Sequence, residues 1–198
     1  EKIPDSEKNY YRANYPNSSA YKLNTYPMFL DQSLDLISKD GICGMIIPDT
    51  LLTNHYYEKF RKELLDNYSI NSILDFDIHV FDDGETGGTI VPIISKKKRS
   101  KTNIYVFDHE SGVSQIGSLQ QGSFQAVPNS KILLDMSQIE LINKIGDVGT
   151  PLRQMATVYN GIKTGDNDQY LTESPTSDKH KKVIRGRDVN RYIIDWGG

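Results

Sequence analysis

The sequence predicts an α/β fold: half of an open, doubly wound sheet followed by part of a small α+β unit. Three observations carry this. Apolar runs of strand length at 42–48, 70–77 and 89–95 alternate with segments of helical period. The last two runs are joined by about ten residues without a helical pattern, which predicts an antiparallel pair. Beyond Pro151, short alternating segments are separated by turn residues, a pattern foreign to the first part.

Residues 1–20 are polar and tyrosine-rich, show no countable period and read as a loop or arm. From Asn24 to Lys39, Phe29, Leu30, Leu34 and Ile37 recur at helical spacing, and Lys39-Asp40-Gly41 supplies the stop. The run ICGMIIP at 42–48 is continuously apolar, as expected of a strand buried on both faces, and Pro48 ends it. Thr53 or Asn54 caps the next helix, to about Asp66, with Tyr57, Phe60 and Leu64 or Leu65 on one face. Strands at 70–77 and 89–95 follow, and half a sheet leaves one edge bare. KTNIYVFD at 101–108 is a further strand at the crossing into a second unit. Residues 109–130 are Gly/Ser/Gln-rich and read as a linker. Met136, Ile139, Ile142 and Ile145 predict a short helix closed by Gly146, and Ala156–Tyr159 and the segment ending at Trp196 read as short strands.

The 198 residues suffice for one ordinary domain or two small ones, and 37% hydrophobic with 25% charged residues is the composition of a soluble protein. No apolar run of about 18 residues is present, so no membrane partner is expected. A single cysteine, Cys43, excludes a disulfide framework and points to a reducing, cytoplasmic setting. His55, His79, His109 and His180 are scattered without ligand spacing, so no metal is expected. Glu1 and the terminal IIDWGG both read as cut from a longer chain. The net charge of −3 hides two basic runs: KKKRSK at 96–101 has five cations, and KHKKVIRGRDVNR at 179–191 has six lysines and arginines against one Asp. Each is either a phosphate-tracking patch or a solvated face.

NGIKTGDND at 160–168 and IRGRDVNRY at 184–192 resemble the target-recognition domain of TaqI-like adenine methyltransferases and of fused restriction–modification enzymes. Three further segments resemble that family's core. AYKLNTYPMFLDQSLDLI at 20–37 is similar to motif V, DGICGMIIPDTLL at 40–52 to motif VI, and VFDDGETGGTIV at 80–91 to motif VIII. The resemblance covers residues 20–198 and implies the C-terminal half of a Rossmann-like methyltransferase sheet. It implies that residues 1–108 are the C-terminal part of the catalytic domain, motifs V to VIII. Residues 109–198 would then be the N-terminal part of the recognition domain.

A base inside a duplex cannot offer its exocyclic amine to a methyl donor, so such enzymes flip it out and stack it on an aromatic face. The resemblance gives Phe81 that role, at the carboxyl end of a strand where open sheets bind ligands; read by itself, Phe81 plugs the core edge. Phe29 is either core on its helix face or, by resemblance, one wall of the S-adenosylmethionine pocket. The acids Asp82, Asp83 and Glu85 make the 82–88 loop a pocket rim rather than a phosphate cradle. Lys163, Thr164, Asn167, Arg185, Arg187 and Arg191 are the candidates for contact with double-stranded DNA, mostly at phosphates. Arg187 and Asp188 are alternatively a structural pair.

The family's catalytic Asn/Asp-Pro-Pro-aromatic motif and its Gly-rich cofactor loop do not occur in this sequence. The reading is therefore an internal piece of a site-specific adenine methyltransferase of a restriction–modification system, inactive alone, with a restriction endonuclease as a fused or separate partner. The competing reading is a stand-alone specificity module that serves a separate catalytic subunit. An unrelated nucleotide-binding Rossmann enzyme would need a Gly-rich phosphate loop, which is missing.

Overall fold

A computed structural model describes residues 3–21, 23–76, 80, 87–159 and 161–195. The chain divides into two compact units, Glu1–Thr150 and Pro151–Gly198.

The first unit opens with helix α1 (Asp5–Asn14), where the sequence predicted a loop or arm. It buries no residue, which is why no apolar period announces it. The turn behind it is tied down by polar contacts, from Asn17 to Glu63 (2.9 Å) and from Ser18 to Asp31 (2.6 Å). Helix α2 (Thr25–Leu36) buries Pro27, Met28, Leu30 and Leu34. Strands β1 (Ile42–Gly44) and β2 (Ile47–Pro48) and the short helix α3 (Thr50–Thr53) follow. Asn54 then caps a single 3-10 turn, its Oδ1 accepting from Tyr56 N at 3.0 Å, and helix α4 (Glu58–Asn67) continues from it. The face expected to be apolar is buried: Tyr57, Phe60, Leu64 and Leu65.

The sheet is mixed. Strands β3 (Ser69–Phe76), β4 (Thr89–Ser95), β5 (Lys101–Asp108) and β6 (Gly112–Gln120) join β1 in the order β1-β4-β3-β5-β6, with β2 also on β4. The β3–β4 pair is antiparallel, as the helix-free connection predicted, and β3–β5 is parallel. Because β1 and β3 both run antiparallel to β4, they point the same way, joined through α3 and α4, with β4 inserted between them.

Three expectations are corrected here. Residues 42–48 are not a strand buried on both faces. Chain pairing is interrupted at 45–46, and Ile42 and Ile46 are exposed while Cys43 and Ile47 are buried. Residues 109–130 are not a linker. They form β6, helix α5 (Gln121–Ala126) and a turn at 128–130, and Leu119, Phe124 and Val127 enter the core. A boundary at 108/109 would therefore cut the β5–β6 hairpin, whose register runs from Lys101↔Gln120 to Asp108↔Gly112. Helix α6 (Met136–Val148) passes through Gly146 and ends at Gly149, with Ile139 as its buried anchor.

Arg61 is the largest fully buried side chain. Its Nη1 donates to Leu51 O (2.9 Å) and Asn54 O (2.6 Å), Nη2 to Asn129 O (3.0 Å), and Nε to Ser130 O (3.1 Å). Asn129 and Ser130 both sit at positive φ, 62° and 51°. The guanidinium holds that strained turn against α4, and burial pulls its pKa down to about 10, which leaves it charged near neutrality. Gln121 has a similar tying role, accepting from Ile70 N (2.9 Å) and donating to Tyr68 O (2.8 Å) and Leu65 O (3.1 Å).

The second unit holds the short helices α7 (Leu152–Met155) and α8 (Asn167–Tyr170) and a small hairpin, β7 (Val189–Asn190) with β8 (Ile193–Ile194). Residues 156–159, expected as a strand, are irregular. Among the described residues, no helix is long and apolar enough to cross a membrane.

Candidate functional site

Thr89, at the start of β4, pairs with Pro48 on one side and Phe76 on the other. The carboxyl ends of β2 and β3 therefore meet at one edge of the sheet, the place where open α/β sheets bind ligands. Phe81 belongs to the connection between Phe76 and Thr89 but lies outside the described residues, as do residues 82–86 of the proposed pocket rim.

The described residues at this edge form a small polar cluster. Asp49 N donates to Gly88 O (2.9 Å), and a Cβ at Gly88 would stand 2.8 Å from Asp49 Cγ, so glycine is what lets the two segments touch. Next to it, the Tyr26 hydroxyl and Thr50 Oγ1 are 3.2 Å apart, and the Tyr26 ring meets Tyr57 edge-on at 5.5 Å. Burial holds the Tyr26 phenol well above its ordinary pKa, so it stays protonated. Sequence reasoning missed Tyr26, Asp49 and Thr50 as members of this edge; the only signal was the break in pattern at Pro48.

Phe29 is not core. It is 64% exposed, on the side of α2 away from Leu30 and Leu34. Its ring is thus available to a ligand, and Tyr26, one turn earlier, is the aromatic that packs inward.

The basic run at 96–101 sits at the other edge. Ser69 pairs with Ser95 where Phe76 pairs with Thr89, so the run is seven residues of β3 away, roughly 23 Å at about 3.3 Å per residue. Lys96 Nζ donates to Asp35 O (3.1 Å) and Ile37 O (2.7 Å), at the end of α2. Lys98 Nζ donates to Asp66 O (2.6 Å), at the end of α4. Both lysines satisfy carbonyls left over at helix C-termini and face the negative end of the dipole.

In the second unit the candidate residues fall into three places. Thr164 Oγ1 donates to Asn167 Oδ1 (2.6 Å) across a turn in which Gly165 has φ 80°, and Lys163 beside them is exposed. Asp166 opens α8 by accepting from Asp168 N (3.0 Å) and Gln169 N (3.1 Å). Arg185 and Arg187 line one cavity with Asp188, which accepts from Arg185 N (2.8 Å) and lies 3.7 Å from Arg187 Nε. Asp188 is thus a structural acid that fixes this turn. Arg191 is at the tip of the β7–β8 hairpin, its guanidinium 5.2 Å from the ring of Tyr192, which is 91% exposed at φ 64°. The structure does not gather Lys163, Thr164, Asn167 and Arg191 into the cavity that Arg185 and Arg187 line.

Residues 1–81 match the family described as Eco57I restriction-modification methylase. The sequence is similar to restriction–modification methyltransferases. Over 175 residues, 87% of this chain, it is 31% identical to the type II methyltransferase M.BstVI of Geobacillus stearothermophilus, of which it covers 27%. Over 184 residues it is 24% identical to the type II restriction enzyme and methyltransferase RM.Eco57I of Escherichia coli, covering 85% of this chain and 18% of that protein. The chain therefore spans about a quarter or less of these two relatives. Among solved structures, the type IIG restriction endonuclease BpuSI is similar over 63% of this chain and 18% of its own, at 12% identity and a TM-score of 0.49, too slight to carry an argument.

Proposed function

We propose that this chain is part of an S-adenosylmethionine-dependent methyltransferase that modifies the exocyclic amine of adenine in a specific DNA sequence, within a restriction–modification system. The first unit supplies the back of the catalytic sheet. The second belongs to target recognition, with the division at Thr150 rather than 108. The similarity to M.BstVI across 87% of the chain is the observation that carries this reading. The geometry adds support: the connection that contains Phe81 leaves and re-enters the sheet at its ligand-binding edge, between Phe76 and Thr89.

The cofactor supplies the methyl group when bound. Phe29, with its exposed ring, would form one wall of the adenine pocket. Association with a restriction endonuclease, fused or separate, is part of the same proposal.

The test is the methylated base itself. DNA from cells expressing the longer protein that contains this chain is expected to contain N6-methyladenine by mass spectrometry, and Phe81→Ala in that protein is expected to lower it by about 5- to 150-fold through the lost stacking platform, worth ~1–3 kcal/mol. A product on cytosine would overturn the assignment of base. Full activity of the Phe81→Ala protein would remove Phe81 from the site.

A further inference from the structure

We propose that Tyr26 is a positioning residue of the cofactor site: its hydroxyl, bonded to Thr50, fixes the first turn of α2 and with it the place of the Phe29 ring. This rests on the reading of Phe29 as a wall of the S-adenosylmethionine pocket and adds what holds that wall. Tyr26 is three positions before Phe29 and four before Leu30, so on the helix it neighbours both. Leu30 is fully buried and Phe29 is exposed, which puts Tyr26 at the seam between the face of α2 that packs and the ring that does not.

The helix itself creates the need for such a tie. Asn24 occupies the N-cap of α2, but its side chain makes no capping hydrogen bond, so the first turn is not closed in the usual way. The far end is held separately, by Lys96 Nζ on Asp35 O (3.1 Å) and Ile37 O (2.7 Å). At the near end Tyr26 supplies two contacts. Its hydroxyl lies 3.2 Å from Thr50 Oγ1, just beyond Pro48, where β2 ends. Its ring meets the buried Tyr57 edge-on at 5.5 Å. Burial raises the phenol's pKa, so the hydroxyl keeps its proton and can donate to Thr50. Phe29, about 4.5 Å along the helix axis from Tyr26, therefore belongs to the sheet edge where β2 and β3 end. A hydrogen bond that does not touch the cofactor thus sets where the ring stands.

The experiment measures, by calorimetry, binding of S-adenosylhomocysteine (which is not turned over) to the longer protein that contains this chain. The variants are Tyr26→Phe, Thr50→Val, the two combined, and Phe29→Ala, with thermal denaturation of each to report folding. Tyr26→Phe and Thr50→Val are each expected to raise Kd by about 2- to 10-fold, the range for one neutral hydrogen bond. The combined variant should lose no more, because both changes remove the same bond. Methyl transfer at saturating cofactor should stay near the parent rate, since binding rather than chemistry is lost. If Phe29→Ala weakens binding while folded Tyr26→Phe and Thr50→Val bind as the parent does, the positioning role is overturned and the reading of Phe29 stands. If Phe29→Ala binds as the parent does, or the parent does not bind, that reading falls and this inference with it. A loss with Tyr26→Phe alone, or additive losses, overturns the hydrogen bond as the means. Thr50 is exposed, so Thr50→Val decides the matter even where Tyr26→Phe does not fold.

Discussion

Two lysine- and arginine-rich segments, 96–101 and 179–191, look alike in the sequence and are used differently by the fold. In the first, Lys96 and Lys98 reach back to carbonyls at the ends of α2 and α4, so two of five cations act inside the protein. In the second, Lys181, Lys182, Arg185 and Arg187 line one cavity from a single stretch of chain, and Asp188, which lies beside Arg187, belongs to the same turn. A run of positive charge is therefore not a nucleic-acid signal until its partners are known. The distinction is whether a helix C-terminus lies within reach, because four carbonyls at each such end lack intrahelical partners.

Arg61 is the extreme case of a cation turned inward, and its removal should give the largest effect. Replacement by Met strands the carbonyls of Leu51, Asn54, Asn129 and Ser130 and frees a turn with two residues at positive φ. Urea denaturation is expected to show a loss of about 3–5 kcal/mol. Arg61→Lys should recover part of it, since an ammonium retains the charge but cannot reach all four acceptors. A loss under about 1 kcal/mol would mean that the turn holds without the guanidinium.

A carboxylate extends the comparison to the sheet edge at which β2 and β3 end, where Asp49 lies against the backbone of Gly88. Gly88→Ala is expected to cost about 1–3 kcal/mol, because the added Cβ must displace Asp49 from a packed position. Asp49→Ala in the same chain should relieve most of that cost, and the double-mutant cycle measures the coupling. Additive effects would show that the two residues do not hold each other and that this edge is shaped by something else.

How much could be read in advance followed from where apolar side chains were needed. β4 and β5 lie where the sequence places them, because their β-branched runs are buried in the middle of the sheet. β6 was illegible: Val113 and Ile116 are exposed, Leu119 is its buried residue, and its strand character comes from pairing with β5. Helix α1 was illegible for the same reason, since polar bonds rather than an apolar face tie its end to the core. At the edge where β2 and β3 end, Tyr26 and Thr50 meet across 24 positions and Asp49 meets Gly88 across 39, separations that no local pattern reveals. Phe29 shows the opposite failure: it was grouped with Leu30 and Leu34, but offsets of one and five residues do not share a helix face, and the ring is exposed while both leucines are buried.

The smallest effect is the most direct test of the contrast between the basic runs. Lys96→Ala and Lys98→Ala should each lower stability by about 0.3–1 kcal/mol, the range for a cation at a helix C-terminus, and the loss should shrink as salt rises. Neither should alter the salt slope of DNA binding, because both ammonium groups are already bonded to carbonyls. Lys97→Ala is the control. Its side chain is exposed and makes neither cap, so it should leave stability within about 0.5 kcal/mol of the parent. If the slope falls for Lys96→Ala or Lys98→Ala, the run at 96–101 reaches phosphate as well as the helix ends, and the two segments are the same kind of surface after all.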